Sequence, residues 1–143
     1  MRIDVFWGLA HDRLAVMTPP ARKLLVVDDD RDVADSLAML MESFDAEVRI
    51  AYDGASGVRV AAEFGPDIAF VDIRMPGMDG YETARLMRAK LGDRAPMIVA
   101  LTGLSASDHP GKSIEAGFDL ELAKPVSAAA IEQLLRSPFR AGA

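Results

Sequence analysis

The sequence predicts an α/β fold, a doubly wound sheet of five parallel strands in the order 2-1-3-4-5 with five helices. From Arg22 onward, apolar runs of strand length alternate with segments of helical period. Three of these runs are continuously apolar, as in parallel strands covered by helices on both faces. The second and fifth runs alternate apolar with polar residues, which is typical of the partly solvated edges of a sheet.

The strand predictions follow from these patterns. The continuously apolar runs are Leu24 to Val27, Ile68 to Val71 and Met97 to Leu101. The alternating runs contain Val48 and Ile50 in one case, and Leu120 and Leu122 in the other. We therefore expect the first, third and fourth strands inside the sheet and the second and fifth at its edges.

The helix predictions follow from apolar residues three and four positions apart. The first helix has the stripe Val33, Leu37, Leu40 and Phe44; the third has Ala84, Met87 and Leu91; the last has Ala128, Ile131, Leu134 and Leu135 and ends before Pro138. Pro110 and Gly111 interrupt the segment between the fourth and fifth strands. We therefore expect a short or broken fourth helix.

The chain of 143 residues has the length of one compact domain. We assign residues 22–137 to this domain, residues 1–21 to an N-terminal extension and residues 138–143 to a C-terminal tail. Apolar residues of the extension have heptad-like spacing, so it is either an amphipathic helix or a flexible segment. Because only 143 − 124 = 19 residues follow Lys124, we expect no separate output domain.

Composition excludes several classes of function. Asp and Glu total 22 against 16 Lys and Arg, a net charge of −6, which disfavours direct binding to nucleic acid. The absence of cysteine excludes disulfide scaffolds and cysteine chemistry. No apolar run approaches the length of a membrane helix. We therefore expect a soluble cytoplasmic protein that binds neither membranes nor nucleic acid.

Charged and polar residues follow four of the predicted strands. The first strand runs into Asp28-Asp29-Asp30, the third ends at Asp72, the fourth at Thr102, and the fifth runs into Lys124. Because the carboxyl ends of parallel strands share one edge, we expect these residues to meet there. Clustered carboxylates without histidine or cysteine favour Mg²⁺. Together with a lysine and a hydroxyl, they suit phosphoryl transfer.

Two of the aspartates have a simpler explanation than metal binding. Asp30 immediately precedes the first helical stripe, where aspartate is a common N-terminal cap. Asp79, followed by Gly80, has the pattern of a turn and a cap. We therefore expect both side chains to cap helices rather than to bind a ligand.

Residues 22–137 resemble the receiver domain of two-component response regulators. The motifs that carry the resemblance are Val27-Asp28-Asp29-Asp30, Asp72 with Met75-Pro76-Gly77-Met78-Asp79-Gly80, Thr102-Gly103, and Ala116-Gly117-Phe118 with Lys124-Pro125. Each motif alone is weak, but all of them in this order at strand ends are specific. The resemblance implies a flavodoxin-like fold and a cis peptide bond before Pro125.

The resemblance also implies a role for each site residue. Asp72 is the phosphoacceptor, Asp29 and Asp72 bind Mg²⁺ directly, and Asp28 acts through water. The backbone carbonyl of Arg74 supplies a further metal ligand. The hydroxyl of Thr102 hydrogen-bonds the phosphoryl group and Lys124 forms an ion pair with it.

The chain departs from the family pattern near the site. Many receivers have an aromatic residue three positions before the lysine, and Glu121 stands there in this chain. A carboxylate is a poor candidate to turn into a buried acidic pocket, so we expect a different switch mechanism. The two positions that tune dephosphorylation hold Arg74 and Leu104. Leu104 cannot orient an attacking water, so we expect slow autodephosphorylation.

The resemblance predicts a signalling switch that accepts a phosphoryl group from a sensor histidine kinase or a histidine phosphotransfer protein. It would catalyse only its own phosphorylation and autodephosphorylation, and a downstream protein would read its state. One alternative is an interaction module that is never phosphorylated, and another is the receiver fragment of a hybrid histidine kinase. A haloacid-dehalogenase-type phosphatase is disfavoured, because Arg74 stands where that class needs an acid. The sequence leaves a homodimer open.

Overall fold

The computed structural model describes residues 22–103 and 110–136. The predictions for residues 1–21, for Leu104 and for residues 138–143 fall outside these ranges. Within them, no helix is long and apolar enough to cross a membrane.

The described residues form a five-stranded parallel sheet with helices on both faces. The strands are β1 Lys23–Val27, β2 Glu47–Ala51, β3 Ile68–Asp72, β4 Met97–Thr102 and β5 Leu120–Ala123. The helices are α1 Arg31–Glu42, α2 Gly54–Phe64, α3 Gly80–Leu91, α4 Pro110–Ala116 and α5 Ala128–Arg136, and one 3-10 turn spans Gly92–Arg94. The strand order is β2-β1-β3-β4-β5, which confirms the predicted fold and its two edges.

Alternate residues of the inner strands build two separate hydrophobic cores. Leu25 and Val27 of β1 face α2, α3 and α4, whereas Leu24, Val26 and Phe70 face α1 and α5. All five residues of β3 are buried, because this strand has neighbours on both sides and helices on both faces. The carboxyl end of β3 therefore lies at the centre of the sheet edge.

Aspartates begin the first three helices. The side chain of Asp30 accepts a hydrogen bond from the backbone amide of Val33 at the start of α1. Asp53 caps α2 in the same way, and Asp79 caps α3 through the amide of Glu82. Each carboxylate satisfies an amide that lacks a partner within its helix. The predicted capping roles of Asp30 and Asp79 are confirmed.

The predicted apolar stripe of α1 is confirmed in part: Leu37 is buried and Leu40 packs against the core, but Val33 does not. The buried side chains are Ala34, Leu37, Ala38 and Met41. Val33 is 37% exposed, and Phe44 lies beyond the end of the helix and packs on the core only in part. Small alanine side chains let α1 lie close to the sheet, which moves Val33 to the margin of the contact. The predicted stripe of α3 is confirmed, because all three of its residues are buried. In α5 only Ile131 is fully buried, and the predicted Ala128 is exposed.

The sequence predicted the position of α4 but not that of α2. The fourth helix is short, as predicted: it has seven residues and begins at Pro110, a position where proline needs no amide partner. The second helix was expected, but no residues were assigned to it. Two local signals mark its ends, the cap at Asp53 and the left-handed Gly65 with φ of 65°.

Candidate functional site

The carboxyl ends of β1, β3 and β5 bring four charged side chains together. Asp28 follows β1, Asp72 ends β3 and Lys124 follows β5. One carboxylate oxygen from each of Asp28, Asp29 and Asp72 lies within 4.8 Å of the others. The structure therefore assembles the predicted acidic cluster from residues that are up to 44 positions apart in the chain, 72 − 28.

The carboxylates have an environment that suits a hard divalent cation. Asp28 is fully buried, Asp72 is almost so and Asp29 is exposed. Oδ1 of Asp28 accepts a hydrogen bond of 3.0 Å from the amide of Asp30, and the buried Oδ2 faces the ammonium group of Lys124. Three carboxylates that repel one another, two of them buried and one exposed, fit Mg²⁺ with one open side toward solvent.

Lys124 offsets part of this negative charge. Its Nζ lies 2.9 Å from Oδ2 of Asp28 and 3.3 Å from Oδ1 of Asp72. The backbone amide of Lys124 donates a hydrogen bond of 2.8 Å to the carbonyl of Thr102, which continues the β4–β5 ladder by one residue. The peptide bond between Lys124 and Pro125 is cis, as the resemblance implies.

The titration of the site reflects its burial and its charges. Burial, and next the negative charge of Asp28, raise the pKa of Asp72 to about 6, although Lys124 opposes the shift. Burial alone would lower the pKa of Lys124, but the carboxylates of Asp28 and Asp72 outweigh it and raise that pKa. Lys124 is therefore a permanent cation at neutral pH, while Asp72 holds its charge less readily than an ordinary aspartate.

Thr102 and Arg74 complete the edge around Asp72. Leu101 is the register partner of Asp72, so Thr102 stands one position further along the neighbouring strand. The hydroxyl of Thr102 is buried and donates a hydrogen bond of 3.5 Å to the carbonyl of Leu122. The amide of Arg74 donates to Oδ1 of Asp72 at 3.3 Å. These contacts place both residues beside Asp72, Thr102 through its position in the sheet and Arg74 through its backbone.

Position 121, where many receivers have an aromatic residue, is on the surface. Glu121 lies in β5 and is exposed, and its register partner in β4 is Ala100. The buried ring of Phe118, which precedes β5, contacts the Tyr81 ring edge-to-face with 6.2 Å between ring centres. The orientation of Glu121 agrees with the expectation that it does not turn inward.

The start of α3 lies very close to the end of β3, and the sequence analysis did not predict this contact. Gly80 begins α3, and its amide donates a hydrogen bond of 2.9 Å to the carbonyl of Ile73. A Cβ at this position would overlap the carbonyl oxygen of Asp72 and lie 2.6 Å from Cα of Ile73. Gly80 therefore holds the start of α3 directly behind the phosphoacceptor candidate. The Asp79-Gly80 pair was the available signal, but it also fits an ordinary turn.

A buried carboxylate among other acids and a lysine, at the carboxyl edge of a doubly wound sheet, is typical of a class of signalling domain that is switched by phosphorylation. A family model of the response regulator receiver domain matches residues 24–136. The chain belongs to the response regulator receiver family. Membership implies a phosphorylation-dependent signalling switch, with an acidic pocket for Mg²⁺ and with kinases and downstream proteins as the partners of the family.

Similar proteins support this assignment. Response regulator MprA of Mycobacterium ulcerans strain Agy99 is 36% identical over 113 residues, which are 79% of this chain and 47% of that protein. The chain thus spans about half the length of the curated relatives it matches. The signal receiver domain of a modulated diguanylate cyclase from Desulfovibrio desulfuricans G20 has a TM-score of 0.71 and 30% identity, covering 82% of this chain and 92% of that one. Chemotaxis protein CheY4 of Vibrio cholerae, at 23% identity and a TM-score of 0.75 over 82% and 98% of the two chains, shows the fold alone.

Proposed function

We propose that Asp72 accepts a phosphoryl group from a sensor histidine kinase or a histidine phosphotransfer protein, in the presence of Mg²⁺. The observation that carries the proposal is the position of the Asp72 carboxylate, at the carboxyl end of the central strand and beside the Asp28 and Asp29 acids and the Lys124 amine. In the transfer, an oxygen of Asp72 forms a bond to phosphorus while the bond from phosphorus to the donor imidazole nitrogen breaks. The imidazole then takes up a proton from solvent, so the chain itself needs no general acid.

The carboxylates of Asp28, Asp29 and Asp72 and the backbone carbonyl of Arg74 would hold Mg²⁺, with Asp28 acting through water. When bound, Mg²⁺ neutralises negative charge on the carboxylates and on the incoming phosphoryl oxygens. Lys124 contributes a second positive charge beside Asp72. The attack by Asp72 requires its ionised form, and both positive charges favour that form.

The remaining residues of the site act on the phosphorylated state. The Thr102 hydroxyl would exchange its 3.5 Å hydrogen bond with the carbonyl of Leu122 for one with a phosphoryl oxygen. Because Glu121 is exposed, we expect no part for a side chain at position 121 in passing this change to the surface. A downstream protein would read this change. Slow autodephosphorylation, expected from Arg74 and Leu104, stays a prediction.

Phosphorylation by acetyl phosphate tests the proposal. We expect the intact mass to increase by one phosphoryl group when the protein is incubated with acetyl phosphate and Mg²⁺, and a chelator to prevent the increase. Asp72→Asn should abolish it, because an amide is not a nucleophile here. Asp53→Asn is the matched control: Asp53 caps α2 outside the site, and asparagine also caps helices, so this variant should be labelled like the parent.

The same experiment separates the alternatives. A parent protein that gains no mass would favour the interaction module that is never phosphorylated. Labelling that persists in Asp72→Asn would show that another residue is the acceptor. The proposal applies equally to a free-standing receiver and to the receiver of a hybrid histidine kinase, since it concerns only residues of the described domain.

A further inference from the structure

Lys124 directly follows β5, a strand that buries little hydrophobic surface. β5 has four residues, pairs with β4 alone and forms an edge of the sheet. None of its side chains is fully buried, and Leu120 is 39% exposed. In most strands one buried face fixes the register, because a slip by one residue would turn that face to solvent. This constraint is weak in β5, so other contacts must hold the strand in place.

Polar contacts at the start of β5 provide such a constraint. Oδ2 of Asp119 accepts hydrogen bonds of 2.8 Å from the amide of Ile98 and of 2.6 Å from Nη2 of Arg88. The amide of Asp119 donates a hydrogen bond of 2.7 Å to the carbonyl of Ile98. The residue that precedes β5 is therefore tied to the start of β4 by its backbone and by its side chain.

Arg88 of α3 ties the same segment to the body of the domain. Its Nε and Nη2 donate hydrogen bonds of 2.9 and 2.7 Å to the carbonyl of Gly117. Gly117 has a φ of 104°, and a Cβ there would lie 3.0 Å from Cγ of Arg88, so the backbone runs directly along the arginine side chain. One guanidinium thus binds two points, Gly117 and Asp119, just before β5 begins.

We propose that Arg88 is a positioning residue for phosphorylation: through Gly117 and Asp119 it sets the register of β5, and β5 then places the Lys124 amine beside Asp72. This inference rests on the proposed function. A slip of β5 by one residue would move Lys124 by about 3.3 Å along the strand. The ion pairs of 2.9 and 3.3 Å with Asp28 and Asp72 would not survive such a shift.

The simpler explanation of the Arg88–Asp119 pair is a surface salt bridge. The two side chains are 34% and 43% exposed, and pairs with this exposure contribute little to stability. A surface salt bridge has no effect on Lys124, whereas a positioning residue acts through it. The two explanations therefore differ in how Arg88 and Lys124 depend on each other.

A double-mutant cycle separates them. The rate of phosphorylation by acetyl phosphate with Mg²⁺ is measured for the parent, Arg88→Ala, Lys124→Ala and the double variant. We expect Arg88→Ala to lower the rate roughly tenfold in the parent, because the amine is misplaced. In the Lys124→Ala background the same change should alter the rate less than about twofold, because no amine is left to misplace.

The control is Arg85→Ala, which removes an exposed arginine from the same helix and should leave the rate unchanged. Equal factors for Arg88→Ala in both backgrounds, or no effect in the parent, would overturn the inference. Asp119→Asn provides a second variant if Arg88→Ala does not fold, and it should reproduce the dependence on Lys124.

Hydrogen exchange tests the register independently of phosphorylation. In the unphosphorylated protein, the Lys124 amide is protected by its bond to the Thr102 carbonyl. We expect Arg88→Ala to speed exchange at this amide and at Leu122 while leaving β1 and β3 unchanged. Unchanged exchange in β5 would contradict the inference even if the parent is phosphorylated. A parent that is not phosphorylated would contradict the proposed function. The exchange result alone would then show whether Arg88 sets the register of β5.

Discussion

At the scale of single residues, Asp72 combines two opposing requirements. The proposed role as a nucleophile requires its ionised form, yet burial and the neighbouring Asp28 raise its pKa to about 6. Lys124 opposes this shift, and Mg²⁺ would oppose it further when bound. A raised pKa also means that the folded metal-free protein holds this proton more tightly than the unfolded chain. Its contribution therefore makes the metal-free protein less stable as the pH rises from about 4 to about 6.

The same pKa predicts the pH dependence of metal binding. Below about pH 6 the proton on Asp72 must leave before Mg²⁺ binds, so we expect the Mg²⁺ affinity to fall up to about tenfold per pH unit there and to level off above pH 7. Isothermal titration calorimetry at several pH values measures this change. Asp72→Asn has no proton to lose at this position and should bind more weakly without the step near pH 6. An affinity in the parent that does not change between pH 5 and pH 7 would contradict the prediction.

At the scale of secondary-structure elements, the junction between β3 and α3 has little room. The first residue of α3 lies against the backbone of Asp72 and Ile73, and only glycine fits there without displacement. A second close contact lies at the start of α2, where a Cβ at Gly54 would overlap Oγ1 of Thr83 in α3. These contacts hold α2 and α3 close to the edge of the sheet that carries the site.

We therefore expect Gly80→Ala to lower the free energy of unfolding by about 1 to 3 kcal/mol, because the methyl group displaces the backbone of β3 or of α3. Urea denaturation measures the loss, and the displacement of Asp72 should also slow labelling by acetyl phosphate. Gly111→Ala is the control: among the described residues, no atom outside its own helix lies within 4 Å of a Cβ added at this position of α4. Alanine is a better helix former, so this variant should be unchanged or more stable by up to about 1 kcal/mol. Equal stability of the two variants would show that the junction can relax.

Some elements were predictable from the sequence and others were not, for a physical reason. The continuous apolar runs of β1, β3 and β4 identified the inner strands because burial on both faces excludes polar residues. The buried face of α1 was predicted only in part, because alanine contributes little to an apolar stripe, yet Ala34 and Ala38 are buried beside the predicted Leu37. Pattern reasoning weights large side chains, whereas packing depends on shape.

At the scale of the whole molecule, the sheet separates two hydrophobic cores that share the inner strands. Phe70 of β3 is fully buried in the core beneath α1 and α5, while its neighbours Ala69 and Val71 point into the other core. Because both cores depend on the same strand, a loss of packing on one face weakens the whole domain. The domain should therefore unfold in a single cooperative transition.

Phe70→Ala tests this dependence. Removing a fully buried aromatic ring leaves a cavity, and we expect a loss of about 3 to 5 kcal/mol in the free energy of unfolding. Ile114→Ala, at a position that is 75% exposed on α4, should change it by less than about 0.5 kcal/mol. Denaturation followed by circular dichroism and by tyrosine fluorescence should give coincident transitions. Two separated transitions in the parent protein would show that the cores unfold independently.

Local patterns in the sequence were sufficient to predict the strand order and the residues that meet at the site. Both follow from local patterns, because the carboxyl ends of parallel strands share an edge and so bring Asp28, Asp72 and Lys124 together. The folded chain was needed to establish the complete burial of Asp28, the raised pKa of Asp72 and the contacts of Arg88 with Gly117 and Asp119. These properties depend on distances between segments that are far apart in the chain, and no periodicity along the sequence encodes such distances.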